Sequence, residues 1–365
     1  MKKLPKIFGI CLLAVLLGLI IYGIGTFVYQ IIVYNENLNK HAQIKKSIEH
    51  GNVSETKHLI LDGIHVNSVD YYGNSILIMA IRAKQYNEAK FLLQNGANPN
   101  QSGEWHKTPL FWAIYRDDPQ LVKLLINFRV KINILDEQGE TPVALADSLK
   151  YYNISQILII HGANVNGIGN RWQTPLIDAT YTNNLNEVKF LLRHGADPNA
   201  RGLWQDTPLI WAEYRRHFRI ASILIKNGAN VNSYDYKRET PILRASENSS
   251  YSAVKLLIDH GAHVNVRDIN GDTPLRWAST TGPSRLIELL LASHADVNVK
   301  NSSNQTPILS ATEMRKLKYV IILMKAGANP LIKSDNGNSA LSYAKSRHLT
   351  KIYQYLVKHM RKIYN

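Results

Sequence analysis

Tryptophan, tyrosine and arginine recur at fixed offsets along this chain, and those residue types in that pattern point to recognition rather than catalysis. Thr-Pro begins at Thr108, Thr141, Thr174, Thr207, Thr240, Thr273 and Thr306, each step being 33 residues, and Ser75 and Ser339 keep the same register at either end. Trp105, Trp172 and Trp204 stand two or three residues before such a threonine, and Tyr72 occupies the column of Trp105 one repeat earlier. Tyr115, Tyr181 and Tyr214 stand seven residues after it, and Arg116 and Arg215 follow two of them. The same three segments carry Gly103, Gly169 and Gly202 where Asp70, Asp136, Asp235 and Asp268 stand elsewhere, which marks a second type of turn. Trp, Tyr and Arg dominate protein interfaces, where truncating one costs roughly 2 kcal/mol or more. Tyr72, Trp105, Tyr115, Arg116, Trp172, Tyr181, Trp204, Tyr214 and Arg215 are therefore the expected partner-binding stripe. The competing reading has the tryptophans fold onto the adjacent turn and staple repeats together.

Other chemistries find no support in the residues. There is no His-Glu-x-x-His, Gly-x-Ser-x-Gly, phosphate-loop or paired-cysteine motif, and the 13 histidines lack ligand spacing, so no catalytic residue, metal, cofactor or small-molecule substrate is expected. His161, His194 and His260 each precede a glycine that ends a helical segment, a structural position for a partly cationic ring. The formal charge of +15 disposes the chain towards anionic partners, but its basic residues are spread along the sequence, so nucleic acid is not expected. The lone Cys11 permits no intramolecular disulfide.

The elements that must carry these side chains follow from capping chemistry. Threonine is a good N-cap and proline suits the first helical position, so each Thr-Pro opens a short helix. Gly63, Gly96, Gly162, Gly195, Gly228, Gly261 and Gly327 end a second apolar helix and lead into a polar turn closing on asparagine, as in Gly228-Ala229-Asn230-Val231-Asn232. One such pair cannot bury its own apolar face and must stack on its neighbours.

Thr-Pro-Leu and Gly-Ala-Asn-x-Asn at this period resemble the ankyrin-repeat family over roughly residues 39–365. The resemblance implies an all-α repeat solenoid of about ten helix-turn-helix units with projecting β-turn fingers. Residues 39–67 would form an N-terminal capping repeat, 68–330 the regular repeats and 331–365 a C-terminal cap. It also implies that fingers and first helices present the binding residues, on a concave side. Trp112, Trp211 and Trp277 fall where the family places core leucine, which implies core packing. The histidine usual after Thr-Pro-Leu is replaced by Phe111, Ala144, Ile177, Ile210, Leu243, Arg276 and Leu309, so its hydrogen bonds must come from elsewhere. Arg129 and His294 stand where glycine is usual, which implies looser helix ends there. The basic Lys345, Arg347, Lys351, Lys358, Arg361 and Lys362 fall on the terminal cap.

Residues 7–33 carry no charge over 27 positions, which as a helix reaches about 40 Å and exceeds the ~30 Å hydrocarbon core. A retained signal-anchor helix is expected there, between a basic tail at 1–6 and a linker at 34–38; a cleaved signal ending near Gly23-Ile24-Gly25 is the alternative. Lys2, Lys3 and Lys6 place the N-terminus in the cytoplasm and the repeats outside it. The Met-Lys-Lys start resembles bacterial anchors, which implies a single-pass protein with its repeats in the periplasm. The expected function is a membrane-anchored adaptor that captures a protein, inhibiting or neutralising it; the alternative is a structural tether of an envelope assembly or host ligand.

Overall fold

The computed structural model describes residue 26, residues 39–169 and residues 173–360. The expected anchor, tail and linker lie, apart from Thr26, outside the described residues; among these no helix is long and apolar enough to cross a membrane.

Two compact units divide between Glu137 and Gln138. The first holds α1 (39–50), α2 (Val53–Leu61), α3 (Ile76–Arg82), α4 (Tyr86–Gln94), α5 (Pro109–Tyr115) and α6 (Pro119–Asn127). The second holds α7 (Pro142–Ser148), α8 (Tyr152–Ile160), α9 (Pro175–Tyr181), α10 (Leu185–Arg193), α11 (Pro208–Tyr214), α12 (Phe218–Lys226) and α13 (Pro241–Glu247). It continues through α14 (Tyr251–Asp259), α15 (Pro274–Thr281), α16 (Ser284–Ala292), α17 (Pro307–Glu313), α18 (Leu317–Lys325), α19 (Ala340–Ser346) and α20 (Thr350–Met360). These are about ten helix pairs, with no strand among the described residues beyond one isolated bridge, Val69 with Ser75.

Each pair is built by two chain reversals. Proline occupies the first turn at every Thr-Pro, and at each except Thr108 the threonine hydroxyl accepts the N–H three residues on, as at Thr141, Thr174 and Thr207. The turn between the paired helices is a left-handed residue, Lys84, Asp117, Lys150, Asn183, Arg216, Ser249, Arg315 or His348, on the 33-residue period, except between α15 and α16, where Gly282 is extended. Helices of seven and nine residues are too short to persist alone. They persist by burial: α5 hides Leu110, Phe111, Ala113 and Ile114, and α6 hides Leu121, Val122 and Leu125. First helices stack on first helices, as α9 on α11 and α11 on α13, and second on second, as α10 on α12.

An asparagine ladder ties the repeats together in the turns that follow the second helices. Asn199 Oδ1 accepts the N–H of Asn230 at 2.7 Å while its Nδ2 donates to the carbonyl of Gly228 at 3.0 Å. Asn166, Asn232, Asn265 and Asn298 repeat the pattern in the second unit. In the first unit Asn67 and Asn100 accept the N–H of Asn98 and Lys131.

The helix ends at Arg129 and His294 are not loosened. Both residues take the left-handed conformation, with φ of 57° and 65°, and the closing bonds form as at the glycines: Val130 N–H to Leu125 at 3.2 Å, Ala295 N–H to Leu290 at 3.0 Å. The expense is local strain on the order of 1 kcal/mol at each. His161, His194 and His260 place Nδ1 2.7–2.8 Å from the carbonyl four residues back, so each donates to its own helix end.

Candidate partner-binding face

The first helices α5 and α11 bury the positions one, two, three, five and six residues after their N-caps, which leaves the fourth and seventh on the open side. Those two positions lie three apart, hence on one face. Trp112 and Tyr115 occupy them in α5, Trp211 and Tyr214 in α11.

This corrects the expectation of core packing: Trp112, Trp211 and Trp277 are each half-buried rather than enclosed, because the fourth position after the N-cap lies at the edge of the face that packs on neighbours. Trp112 and Trp211 are the hubs of the exposed aromatic groups.

In the first unit, Trp105 lies 6.1 Å from Trp112, which lies 6.1 Å from Tyr115. Arg82 of α3 covers the Trp112 ring at 4.5 Å and pairs with Glu104 at 3.3 Å. Lys107 reaches over Tyr115 at 4.9 Å, donates to its hydroxyl at 3.0 Å and pairs at 3.0 Å with the buried Asp136. Burial opposes the charge on Lys107, and the bonds to Tyr115 and Asp136 outweigh it, so its pKa is raised. The turn carrying Trp105 has two left-handed residues, Trp105 and His106, and packs Gly103 against the neighbouring turn. A Cβ at Gly103 would meet Asn74 Oδ1 at 2.6 Å and Asn74 Cα at 3.0 Å, so glycine is there for the close approach. Tyr72, 64% exposed, faces Tyr71 edge-on at 5.3 Å and lines a separate hollow with Arg82 and Glu104. Arg116 caps α5 and is exposed.

In the second unit the contacts run continuously from repeat to repeat. The Arg215 guanidinium covers the Tyr181 ring at 4.5 Å, Tyr181 meets Trp211 edge-on at 5.2 Å, and Trp211 meets Tyr214 edge-on at 5.6 Å. Arg244 of α13 then covers Tyr214 at 5.1 Å, held by Glu247 at 3.0 Å with Glu239 and Asp235 at 3.7 and 3.8 Å. Burial, against the pull of Arg244, pushes the Glu239 carboxyl up to about 7. Trp204, 49% exposed, lines a pocket of about 150 Å³ with Trp211, Tyr214, Tyr236 and Arg244. Asp206 anchors this corner, accepting from the Trp211 indole and, at 3.1 Å, from the Trp204 N–H. The Asp columns distinguish the two turn types: Asp235 and Asp268 each accept two N–H groups of their own turn, while in the Gly202 turn Asp206 accepts one, that of Trp204, from the far side.

The structure therefore brings Trp105 with Tyr115, and Tyr181 with Tyr214 and Arg215, while Trp204 joins the latter group at its pocket. Trp172 lies outside the described residues. Sequence reading missed Arg82, Lys107 and Arg244; the signal for Arg244 was its place in the Trp211 column, one period on.

The comparisons with known proteins meet this geometry. The family described as ankyrin repeats (3 copies) matches residues 99–169, 166–235, 234–301 and 275–365, and the single ankyrin repeat matches 72–104. The chain belongs to the ankyrin-repeat family. Ankyrin repeats are a protein-interaction fold, typically without enzymatic activity. A solved structure described as the ankyrin repeat domain of Bcl-3, a unique member of the IkappaB protein family, is similar at a TM-score of 0.54 and 20% identity, over 59% of this chain and 97% of that one. That likeness is one of fold. No curated protein matches.

Proposed function

We propose that this ankyrin protein is a membrane-anchored scaffold that captures a protein partner through the aromatic and arginine side chains of its first helices and fingers. The observation carrying the reading is the run Arg215, Tyr181, Trp211, Tyr214, Arg244: large rings, held by neighbours, with Tyr181 and Tyr214 still 39% and 50% exposed. Rings fixed before binding lose little rotamer freedom on contact, which favours affinity. The hydrophobic segment 7–33 supports anchoring, and Lys2, Lys3 and Lys6 support an extracytoplasmic repeat domain. Inhibition of the captured protein, rather than plain tethering, is the finer form of the proposal.

The test is cross-linked co-purification from native membranes of the wild type beside a Trp105→Ala, Trp204→Ala, Tyr214→Ala variant. One protein retained by the wild type and lost from a variant with an unchanged circular dichroism spectrum supports the proposal. Equal recovery by both sinks the aromatic face as the binding site.

A further inference from the structure

Spread along the sequence, the basic residues gather once the repeats stack. Arg201, Tyr234, Arg267, Lys300 and Lys333 occupy one column at 33-residue steps, and all are exposed. Tyr234, Arg238, His263 and Arg267 line a groove of about 730 Å³ in the second unit, and no carboxylate lines it. Among the described residues no carboxylate pairs with Arg201, Arg238, Arg267 or Lys300. The acids of the same turns are spent elsewhere: Asp235 and Asp268 on their own turn N–H groups, Glu239 near Arg244, and Asp272 on Arg276. Two of these cations are also held in place. Arg201 lies over the Tyr234 ring at 5.4 Å and donates to the carbonyls of Gln205 and Tyr234 at 3.0 and 2.9 Å; Arg267 donates to that of Lys300 at 3.3 Å. Each guanidinium has five N–H donors, so most of the fork stays open to a ligand.

We propose that this groove docks an acidic, carboxylate-rich segment of a protein partner. Two arginines with no internal counter-ion, Arg238 and Arg267, in a recess walled by Tyr234 and Val266, match an extended chain whose carboxylates are taken by guanidinium forks. A flat lipid surface does not enter such a recess, and the fold is one that binds proteins. The groove's lining shares no residue with the aromatic face.

The test measures binding of fluorescein-labelled oligoglutamate to the full-length protein in a non-ionic detergent. Arg238→Asn with Arg267→Gln removes two groove charges, asparagine being chosen because Arg238 is left-handed at φ 60°. Lys345→Gln with Lys351→Gln removes the same charge from exposed positions of α19 and α20. The groove pair is expected to weaken binding about tenfold or more, two charge-assisted contacts being lost, and the cap pair to leave it nearly unchanged. Melting temperatures are read alongside, and Arg238→Asn alone replaces a pair that fails to fold. Equal weakening by both pairs means net charge only, and overturns the groove. So does absence of oligoglutamate binding, and so does groove-dependent binding of phosphatidylglycerol vesicles without it. A Trp204→Ala variant retaining oligoglutamate binding separates this result from the fate of the aromatic-face proposal.

Discussion

Glu213 sits directly under Tyr214 in sequence, yet the two neighbours live in opposite environments: Tyr214 is half exposed, and Glu213 is wholly buried with neither carboxyl oxygen hydrogen-bonded. Burial pushes the Glu213 carboxyl up to about 8. An ordinary glutamate in the unfolded chain titrates near 4.3. Between those values the folded state keeps a proton that the unfolded state has lost. Stability from this residue is therefore highest below pH 4 and declines as pH rises to about 8, by up to about 5 kcal/mol in all.

Replacing Glu213 with isoleucine, the residue at the matching positions 81 and 114, should remove that decline. Urea unfolding at pH 5 and pH 8 checks it: the variant gains most at pH 8. A gain equal at both pH values would mean that the carboxyl titrates normally.

The asparagine ladder predicts a cost at any one rung. Asn199→Ala strands the Asn230 N–H and the Gly228 carbonyl, and should cost about 1–3 kcal/mol. Differential scanning calorimetry of the full chain measures it, and an unchanged transition would show that water takes over both bonds.

Trp211 and Trp204 should separate stability from binding. Trp211→Ala removes the Asp206 bond and two ring contacts from a half-buried site, a cost on the order of 2–4 kcal/mol. Trp204→Ala, at an exposed position, should stay within roughly 1 kcal/mol. Chemical unfolding of both variants decides; a large loss from Trp204→Ala would revive the stapling reading.

Gly103 should not accept the aspartate used at Asp70 and Asp136. Its Cβ would run into Asn74, so Gly103→Asp should destabilise the first unit by about 1–3 kcal/mol. Protease sensitivity near residues 70–110 reports it, and wild-type resistance would show that Asn74 swings clear.

The Lys107 and Asp136 pair is nearly closed to water, at 9% and 0% side-chain exposure. Asp136→Ala alone leaves an unpaired lysine and should cost about 3–5 kcal/mol, whereas Lys107→Met with Asp136→Leu should recover most of it. A double-mutant cycle by urea unfolding measures the difference.

Much of this fold is legible in local chemistry, because Thr-Pro marks where a helix starts and the left-handed glycine where one ends. Pro109, Pro142 and Pro175 each open a helix. What is not legible depends on neighbours 33 residues away. The side of α5 that faces outward decides whether Trp112 is core or surface, and a Thr-Pro-Leu pattern assigns it to the core. Arg201 and Arg267 each read alone as solvated charges, and only stacking makes them one column. Glu213 read within its own helix looks exposed, and only the isoleucines at positions 81 and 114 of the same column point to its burial.

The fingers of the second unit are also joined main chain to main chain. Tyr236 N–H bonds Trp204, Ile269 bonds Lys237, Ser302 bonds Asn270 and Asp335 bonds Ser303, at 2.8–3.1 Å. Mechanically these four links lie in series along the stack, and each works in parallel with the asparagine rung and the helix packing of its own junction. A pull along the stack is therefore borne junction by junction, each giving way only when its finger amide, its asparagine rung and its helix packing are lost together.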